Sequence, residues 1–361
     1  MPLVTARARV EPGLTLRPHR PAVLTMIMTE DRSAAASTGH APATHAAIPV
    51  PDSGEKSDSL TTVLVAFAAN LVIAVAKTIA AILTGSSSML AEAAHSWADA
   101  GNEVFLLIAD KRSKIPADDA HPLGHGREAY VWSMFAALGL FAAGAAVSVT
   151  HGVSELFHQT PADGFTIGYV VLAVAFVLEG ISFLQSARQA RAEAETSRRD
   201  LLQHVLATSD PTLRAVFAED SAALIGLVIA ALGLGLHQLT GSAVPDAIAS
   251  VLIGLLLGIV ALVLINRNRR FLVGEVADPR IRAATLAALL ALPEISSVTY
   301  LRLEIVGPRQ VSLIADVDLS GDDRESLLAV RLRQLEDQLT RNTAVVGAVL
   351  SLSAPGRSPL S

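Results

Sequence analysis

The middle of the chain consists of six long apolar segments separated by short polar connections. A helix that crosses the ~30 Å apolar core of a bilayer needs about 20 mostly apolar residues, and each segment is close to that length. The segments lie at roughly 61–83, 88–109, 130–151, 165–184, 215–236 and 243–265. This pattern predicts an all-α bundle of six transmembrane helices.

The chain on either side of the apolar block has an ordinary polar composition. The N-terminal part lacks helical or strand periodicity, which predicts a disordered leader, and Met26 and Met28 offer alternative starts within it. The C-terminal part alternates helical and strand patterns in the order αββαβ, which predicts a small α+β domain. The expected boundaries are 1–57 for the leader, 58–272 for the transmembrane bundle, 273–355 for the α+β domain and 356–361 for a short tail.

Basic residues are distributed unevenly between the connections. The connections after the first, third and fifth segments contain no Lys or Arg, whereas those at 111–128 and 185–214 and the stretch after the sixth segment contain several. Basic residues in short loops face the cytoplasm. We therefore expect a multi-pass protein of the cell's inner or plasma membrane with both termini in the cytoplasm.

Composition excludes some partners and site types. The chain is 51% hydrophobic and 17% charged, against about 25% charged in soluble domains. The net charge of −6 argues against a nucleic-acid partner. The absence of cysteine excludes disulfides and thiolate metal sites.

Ionisable residues inside the apolar segments are costly and usually functional. His95 and Asp99 are four residues apart in the second segment and share a helix face, with Glu92 and Glu103 near the same stripe. Glu219 and Asp220 are adjacent in the fifth segment. Imidazole and carboxylates on two facing helices provide the N and O ligands of a divalent metal site. The alternative is a His–Asp hydrogen bond that only joins neighbouring helices.

Two further groups are candidates. Asp118, His121 and His125, in the connection before the third segment, have a spacing that allows a metal site, although a solvated loop explains them equally well. Glu179, near one end of the fourth segment, is either a proton relay or a side chain that reaches the membrane interface.

The residues resemble the cation diffusion facilitator family between about Asp58 and Leu352. The resemblance depends on NLVIAVAKTIAAILTGSSSMLAEAAHSWAD, HPLGHGREAY and PDAIASVLIGLLLG, and DPTLRAVFAEDSAALIGLVIA is similar to the zinc transporter nine branch. It implies a homodimer, six helices per protomer and a cytoplasmic ferredoxin-like dimerisation domain.

The resemblance also implies a transport site of two residue pairs, one on the second helix and one on the fifth. His95 and Asp99 match the first pair, and Asp220 matches one member of the second. The remaining position is Val216, which cannot bind a metal, so either Glu219 replaces it or the site has three ligands and water. Asp118, His121 and His125 match the family's loop site.

These features predict a transporter and not an enzyme. His and carboxylates bind metal only when deprotonated, so metal and protons are expected to exchange by alternating access, with export from the cytoplasm. Zinc is the expected cargo, rather than a prosthetic group, and Mn, Fe, Co or Cd are the alternatives. No His-Glu-x-x-His or Gly-x-Ser-x-Gly motif supports a hydrolase. A non-transporting membrane scaffold is a further alternative.

Overall fold

The structure is a computed structural model that describes residues 60–158, 163–196 and 199–360. The predicted leader, 1–57, lies outside the described residues.

Every predicted transmembrane segment lies within a helix. The helices of this part are α1 (Leu60–Thr84), α2 (Ser87–Ser113), α3 (Glu128–Ala136), α4 (Ala142–Phe157), α5 (Phe165–Thr196), α6 (Leu201–Ala207), α7 (Pro211–Thr240) and α8 (Val244–Val273). A π-helical turn, Ala137–Phe141, joins α3 and α4 into one long helix. The prediction of a membrane bundle is confirmed.

Five of these helices are long and apolar enough to cross a membrane, within the part of the chain that the structure describes. The helix α2 is also long, with 27 residues, but it carries Glu92, Asp99 and Glu103 in its middle. These polar residues point into the bundle, because α2 packs against α1, α4, α7 and α8. The helix α2 therefore serves as the sixth span, because its charged residues are directed toward neighbouring helices.

One end of the bundle is closed by a carboxylate from α8. Asp246 accepts hydrogen bonds from the Ser86 hydroxyl at 2.9 Å and the Ser87 backbone N–H at 2.6 Å, and also from the Ser88 hydroxyl. The first N–H groups of a helix lack partners within the helix, and a carboxylate there satisfies them. Asp246 thus fixes the start of α2 to the start of α8, at what we call the far end of the bundle.

The C-terminal domain has the predicted αββαβ order. It consists of α9 (Pro279–Leu290), β1 (Ile295–Gly307), β2 (Gln310–Leu319), α10 (Glu325–Leu339) and β3 (Val345–Leu352). The sheet order is β1-β2-β3, with β2 antiparallel to β1 and parallel to β3. Alternate residues of β2 are buried against the two helices, so the prediction of an α+β domain is confirmed.

The turn between β1 and β2 packs against the helix connections at the other end of the bundle, which we call the domain-side end. Arg309 contacts Glu193 at 2.9 Å and Asp210 at 3.4 Å. Gly126 lies so close to Gly307 that an added Cβ would be 2.8 Å from the Gly307 Cα. A side chain at position 126 would therefore push the domain away from the bundle.

Candidate functional site

The helix α2 places His95 and Asp99 on one buried face, as predicted. His95 Nε2 lies 3.3 Å from Asp99 Oδ2. The contact is not aligned as a hydrogen bond, and among the described residues neither ring nitrogen of His95 has a hydrogen-bond partner; nor does Asp99 Oδ1. Buried polar atoms are nearly always paired. The geometry therefore favours a site for a cation or proton over a simple His–Asp tie between helices.

The helix α7 presents Asp220 to two serines on α5. Ser186 donates to Asp220 Oδ2 at 2.9 Å, and Ser182 lies 3.1 Å from Oδ1 and 3.2 Å from Oδ2. Ser182 and Ser186 are four residues apart, so both hydroxyls project from the same face of α5. They hold the Asp220 carboxylate in one orientation.

Glu219 is held from the opposite side by α2. Asn102 Nδ2 donates to Glu219 Oε1 at 2.5 Å, and both side chains are buried. Asn102 lies seven residues after His95 and three after Asp99, which places it on the same face of α2. Adjacent carboxylates of α7 are thus fixed by different helices, Asp220 by α5 and Glu219 by α2.

These side chains surround a cavity of about 60 Å³ in the bundle. Asp99, Glu219 and Asp220 all line it, so the structure brings together three of the four residues predicted for the transport site. His95 is not part of the cavity wall and reaches it only through Asp99. The other lining residues are Asn70, Glu103, Leu106, Glu179, Ser182 and Val216.

Three of these lining residues bear on the sequence predictions. Val216, the position at which the resemblance implies a ligand that this chain lacks, borders the cavity beside Asp99, Glu219 and Asp220. Glu179 also lines it rather than pointing to the membrane interface, which agrees with a role in proton movement. Glu103, which receives a hydrogen bond from Asn70, adds a further carboxylate.

Some polar partners of the site were not predicted from sequence. Asn102, Ser182 and Ser186 are hydrogen-bonded to cavity carboxylates. Lys77, for which the sequence allows either a carboxylate partner or a position at the membrane interface, forms an ion pair with Glu92 at 2.9 Å. The four-residue spacing of the two serines was a detectable signal, since it places both hydroxyls on one helix face. The distance between Lys77 and Glu92 depends on how α1 packs against α2, which the sequence does not specify.

The loop between α2 and α3 brings Asp118, His121 and His125 together. Asp118 Oδ1 lies 3.1 Å from His121 Nδ1, and Asp118 Oδ2 lies 3.1 Å from His125 Nε2. The ligand atoms of the three residues all lie within 4.8 Å of one another, a spacing that allows them to share one metal ion. Asp119, the neighbouring carboxylate, is exposed and outside this cluster.

The loop cluster alters the acidity of its own members. The hydrogen bond with His125 and the backbone N–H of His121 lower the pKa of Asp118 to about 2. The Asp118 carboxylate, with a smaller contribution from Glu128, raises the pKa of His125 above its ordinary value. Asp118 is therefore an anion at neutral pH and keeps a proton on His125 to a higher pH than usual.

Comparison with known proteins agrees with this architecture. A sequence model described as the cation efflux transmembrane domain matches residues 63–273, which include both the cavity and the loop cluster. Metal tolerance protein C4 of Arabidopsis thaliana is 32% identical over 238 residues, 66% of this chain and 52% of that protein.

Two other relatives differ in how much of the chain they cover. The human protein named "Proton-coupled zinc antiporter SLC30A9, mitochondrial" is 32% identical over 246 residues, 68% of this chain and 43% of that protein. Magnetosome protein MamM of Paramagnetospirillum magneticum is 31% identical over 122 residues, 33% of this chain and 36% of that protein. The chain spans about half the length of the first two. Because the family match covers more than half of the chain, this multi-pass membrane protein belongs to the cation efflux family, as its resemblance to the cation diffusion facilitators and their zinc transporter nine branch indicated.

Proposed function

We propose that this protein exchanges a divalent transition-metal ion for protons across a membrane, and that zinc is the preferred ion. The observation that carries the proposal is the cavity, where carboxylates from three helices face one another inside the bundle. Several negative charges at that depth are unfavourable unless cations or protons accompany them. The name of the human relative, a proton-coupled zinc antiporter, supports the same reading.

The chemistry of the cavity residues, together with His95 behind Asp99, explains why metal and protons would exchange. Asp99 and Asp220 supply oxygen ligands, His95 supplies a nitrogen next to Asp99, and Glu219 supplies the carboxylate expected to replace a ligand at Val216. Each group binds metal only in its deprotonated form, so metal entry releases protons and proton entry releases metal. Glu179, on the wall of the same cavity, is placed to pass protons to and from it.

The direction of transport that we propose rests on the topology, inferred from the charge of the helix connections, and on the family resemblance. The basic connections lie at the domain-side end, where Arg127 and Arg309 form ion pairs with residues across the contact between bundle and domain. With this end and both termini in the cytoplasm, inward proton flow would drive metal out of the cytoplasm. We place the protein in the cell's inner or plasma membrane, as a homodimer joined through the C-terminal domain.

The test is flux through the full-length protein in proteoliposomes. Zinc uptake should release protons from the vesicle interior, read with a trapped pH-sensitive dye, and manganese uptake measured in parallel should be slower. The cavity is rich in oxygen ligands, which also suit manganese, so the comparison determines which metal is preferred. Absence of flux for both metals from correctly inserted protein would leave the scaffold as the better interpretation.

We also propose that the Asp118, His121 and His125 cluster binds metal, with an affinity that depends on pH. The proton on His125 must leave before its nitrogen can bind a metal, and the pKa of His125 is raised. Zinc affinity at the loop should therefore fall as pH is lowered through that raised pKa and recover above it. Calorimetric titration between about pH 6 and 8, in an Asp99→Ala background that removes the cavity site, measures this dependence.

Glu128→Gln is the matched control for the loop. Glu128 Oε1 lies 3.5 Å from His125 Nδ1 and helps to hold the proton, but Glu128 is not a member of the proposed ligand set. The variant should keep zinc binding and move the midpoint of its pH dependence to a lower pH. An unchanged midpoint would show that His125 does not govern binding at this loop.

A further inference from the structure

Lys77 of α1 is a lysine without solvent exposure in the middle of the bundle. Its Nζ atom lies 2.9 Å from Glu92 Oε2 on α2 and 4.0 Å from Glu179 Oε1 on α5. A lysine charge in such a place is stable only with anionic partners, since losing its hydration is costly. Lys77 thus connects three helices through two carboxylates.

The two partners of Lys77 differ in their surroundings. Glu92 has no solvent exposure and its Oε1 packs directly against Gly226 of α7, where a Cβ would collide with it. Glu179 forms the longer contact, retains 12% exposure of its side chain and lines the cavity. Glu92 therefore anchors the ammonium group, while Glu179 can leave it for the cavity.

Lys77 also has a special position relative to the cavity. Of the Lys and Arg side chains that the structure describes, it alone lies within 4.0 Å of a carboxylate that lines the cavity. A metal ion in the cavity and the Lys77 ammonium group carry charge of the same sign next to the same carboxylate. They repel each other and both attract Glu179.

We propose that Lys77, anchored by Glu92, is a positioning residue that competes with the metal cargo for Glu179. This inference rests on the proposed transport function. When the cavity is empty, Lys77 holds Glu179 against α1. When metal enters, Glu179 turns toward it, and the attraction of Lys77 for Glu179 favours its return. Lys77 thereby weakens metal binding enough for release, which any transport site requires.

The test is zinc affinity of the full-length protein in detergent, measured by calorimetry with zinc alone. The quantity compared is the binding component that Asp99→Ala removes. Lys77→Met combined with Glu92→Gln removes the anchored ammonium group without leaving Glu92 as an unpaired buried charge and without changing the net charge. This double variant should bind zinc about tenfold more tightly, since Glu179 is released from its competitor. Structural damage would weaken binding instead.

A third substitution separates Glu179 from general effects. Adding Glu179→Gln to the double variant should abolish the gain in affinity, because the gain acts through that carboxylate. Lys77→Arg, which keeps the charge, should bind zinc like the wild type. Unchanged or weaker binding in the double variant, or a gain that survives Glu179→Gln, overturns the inference. If the wild type has no zinc-binding component that depends on Asp99, the result contradicts the proposed transport function itself. That result differs from the outcomes that overturn only the inference about Lys77.

Discussion

Asp99→Ala is expected to lower metal flux in proteoliposomes at least about 100-fold, because it removes from the wall of the cavity a carboxylate that we propose as a metal ligand. The loss should appear in transport and not in folding. Asp99 Oδ1 has no hydrogen-bond partner among the described residues, so alanine leaves no donor unpaired there. The variant should also relieve repulsion from the other cavity carboxylates. The measurement is zinc uptake at matched protein density, with folding checked by size-exclusion profile and melting temperature.

Asp110→Ala on the same helix is the matched control. Asp110 is exposed and forms a salt bridge with Lys114 at 3.0 Å, outside the cavity. Exposed ion pairs contribute about 0.2–1 kcal/mol to stability, so this variant should transport zinc at nearly the wild-type rate. Equal flux in both variants would remove Asp99 from the transport site, and equal loss in both would indicate a general sensitivity of α2.

The sequence predicted the helices of the bundle well but not where all of them end. The helix α5 continues to Thr196, although its apolar segment ends at about 184. Hydropathy marks where a helix leaves the apolar layer, whereas Ala, Gln, Glu and Arg after that point still favour helix. The helix α8 likewise extends through Arg267 and Arg270 to Val273. These extensions bring the helix ends to the C-terminal domain.

The candidate site was only partly accessible from the sequence. The four-residue spacing of His95 and Asp99 predicted their shared face, and the family resemblance added Asp220. The contacts that orient these groups depend on the packing of helices remote in sequence, as between Asn102 and Glu219. Local periodicity cannot specify them, because it determines the face of each helix but not which face it meets. For the same reason the position of His95 behind Asp99, rather than on the cavity wall, was not foreseen.

The contact between domain and bundle was also not predicted. The turn between β1 and β2 was recognisable from its flanking strands, but nothing local indicated that Gly307 would meet Gly126. Gly126 directly follows His125 of the loop cluster. The residue that directly follows the loop cluster is therefore the one that packs against the C-terminal domain.

Glu219→Gln is the second large effect that we expect, with flux reduced about 10- to 100-fold. Val216 occupies the position where the family resemblance implies a fourth ligand, and Glu219 lines the same cavity from the next turn of α7. Gln preserves the length of the side chain and still accepts the hydrogen bond from Asn102 Nδ2 through its amide oxygen. A loss of flux would therefore report the missing negative charge rather than lost packing. Zinc uptake in proteoliposomes, alongside Val216→Ala, measures it.

Val216→Ala is the matched control for Glu219→Gln. Because Val216 supplies no ligand, shortening it should leave flux close to that of the wild type. Asn102→Ala should fall between the two variants, since it removes the group that orients Glu219 but not the carboxylate itself. If Glu219→Gln transported zinc at the wild-type rate while Asp220→Ala did not, the metal would be held by His95, Asp99, Asp220 and water. Asn102 would then only shield a buried carboxylate, and its replacement should leave flux unaffected.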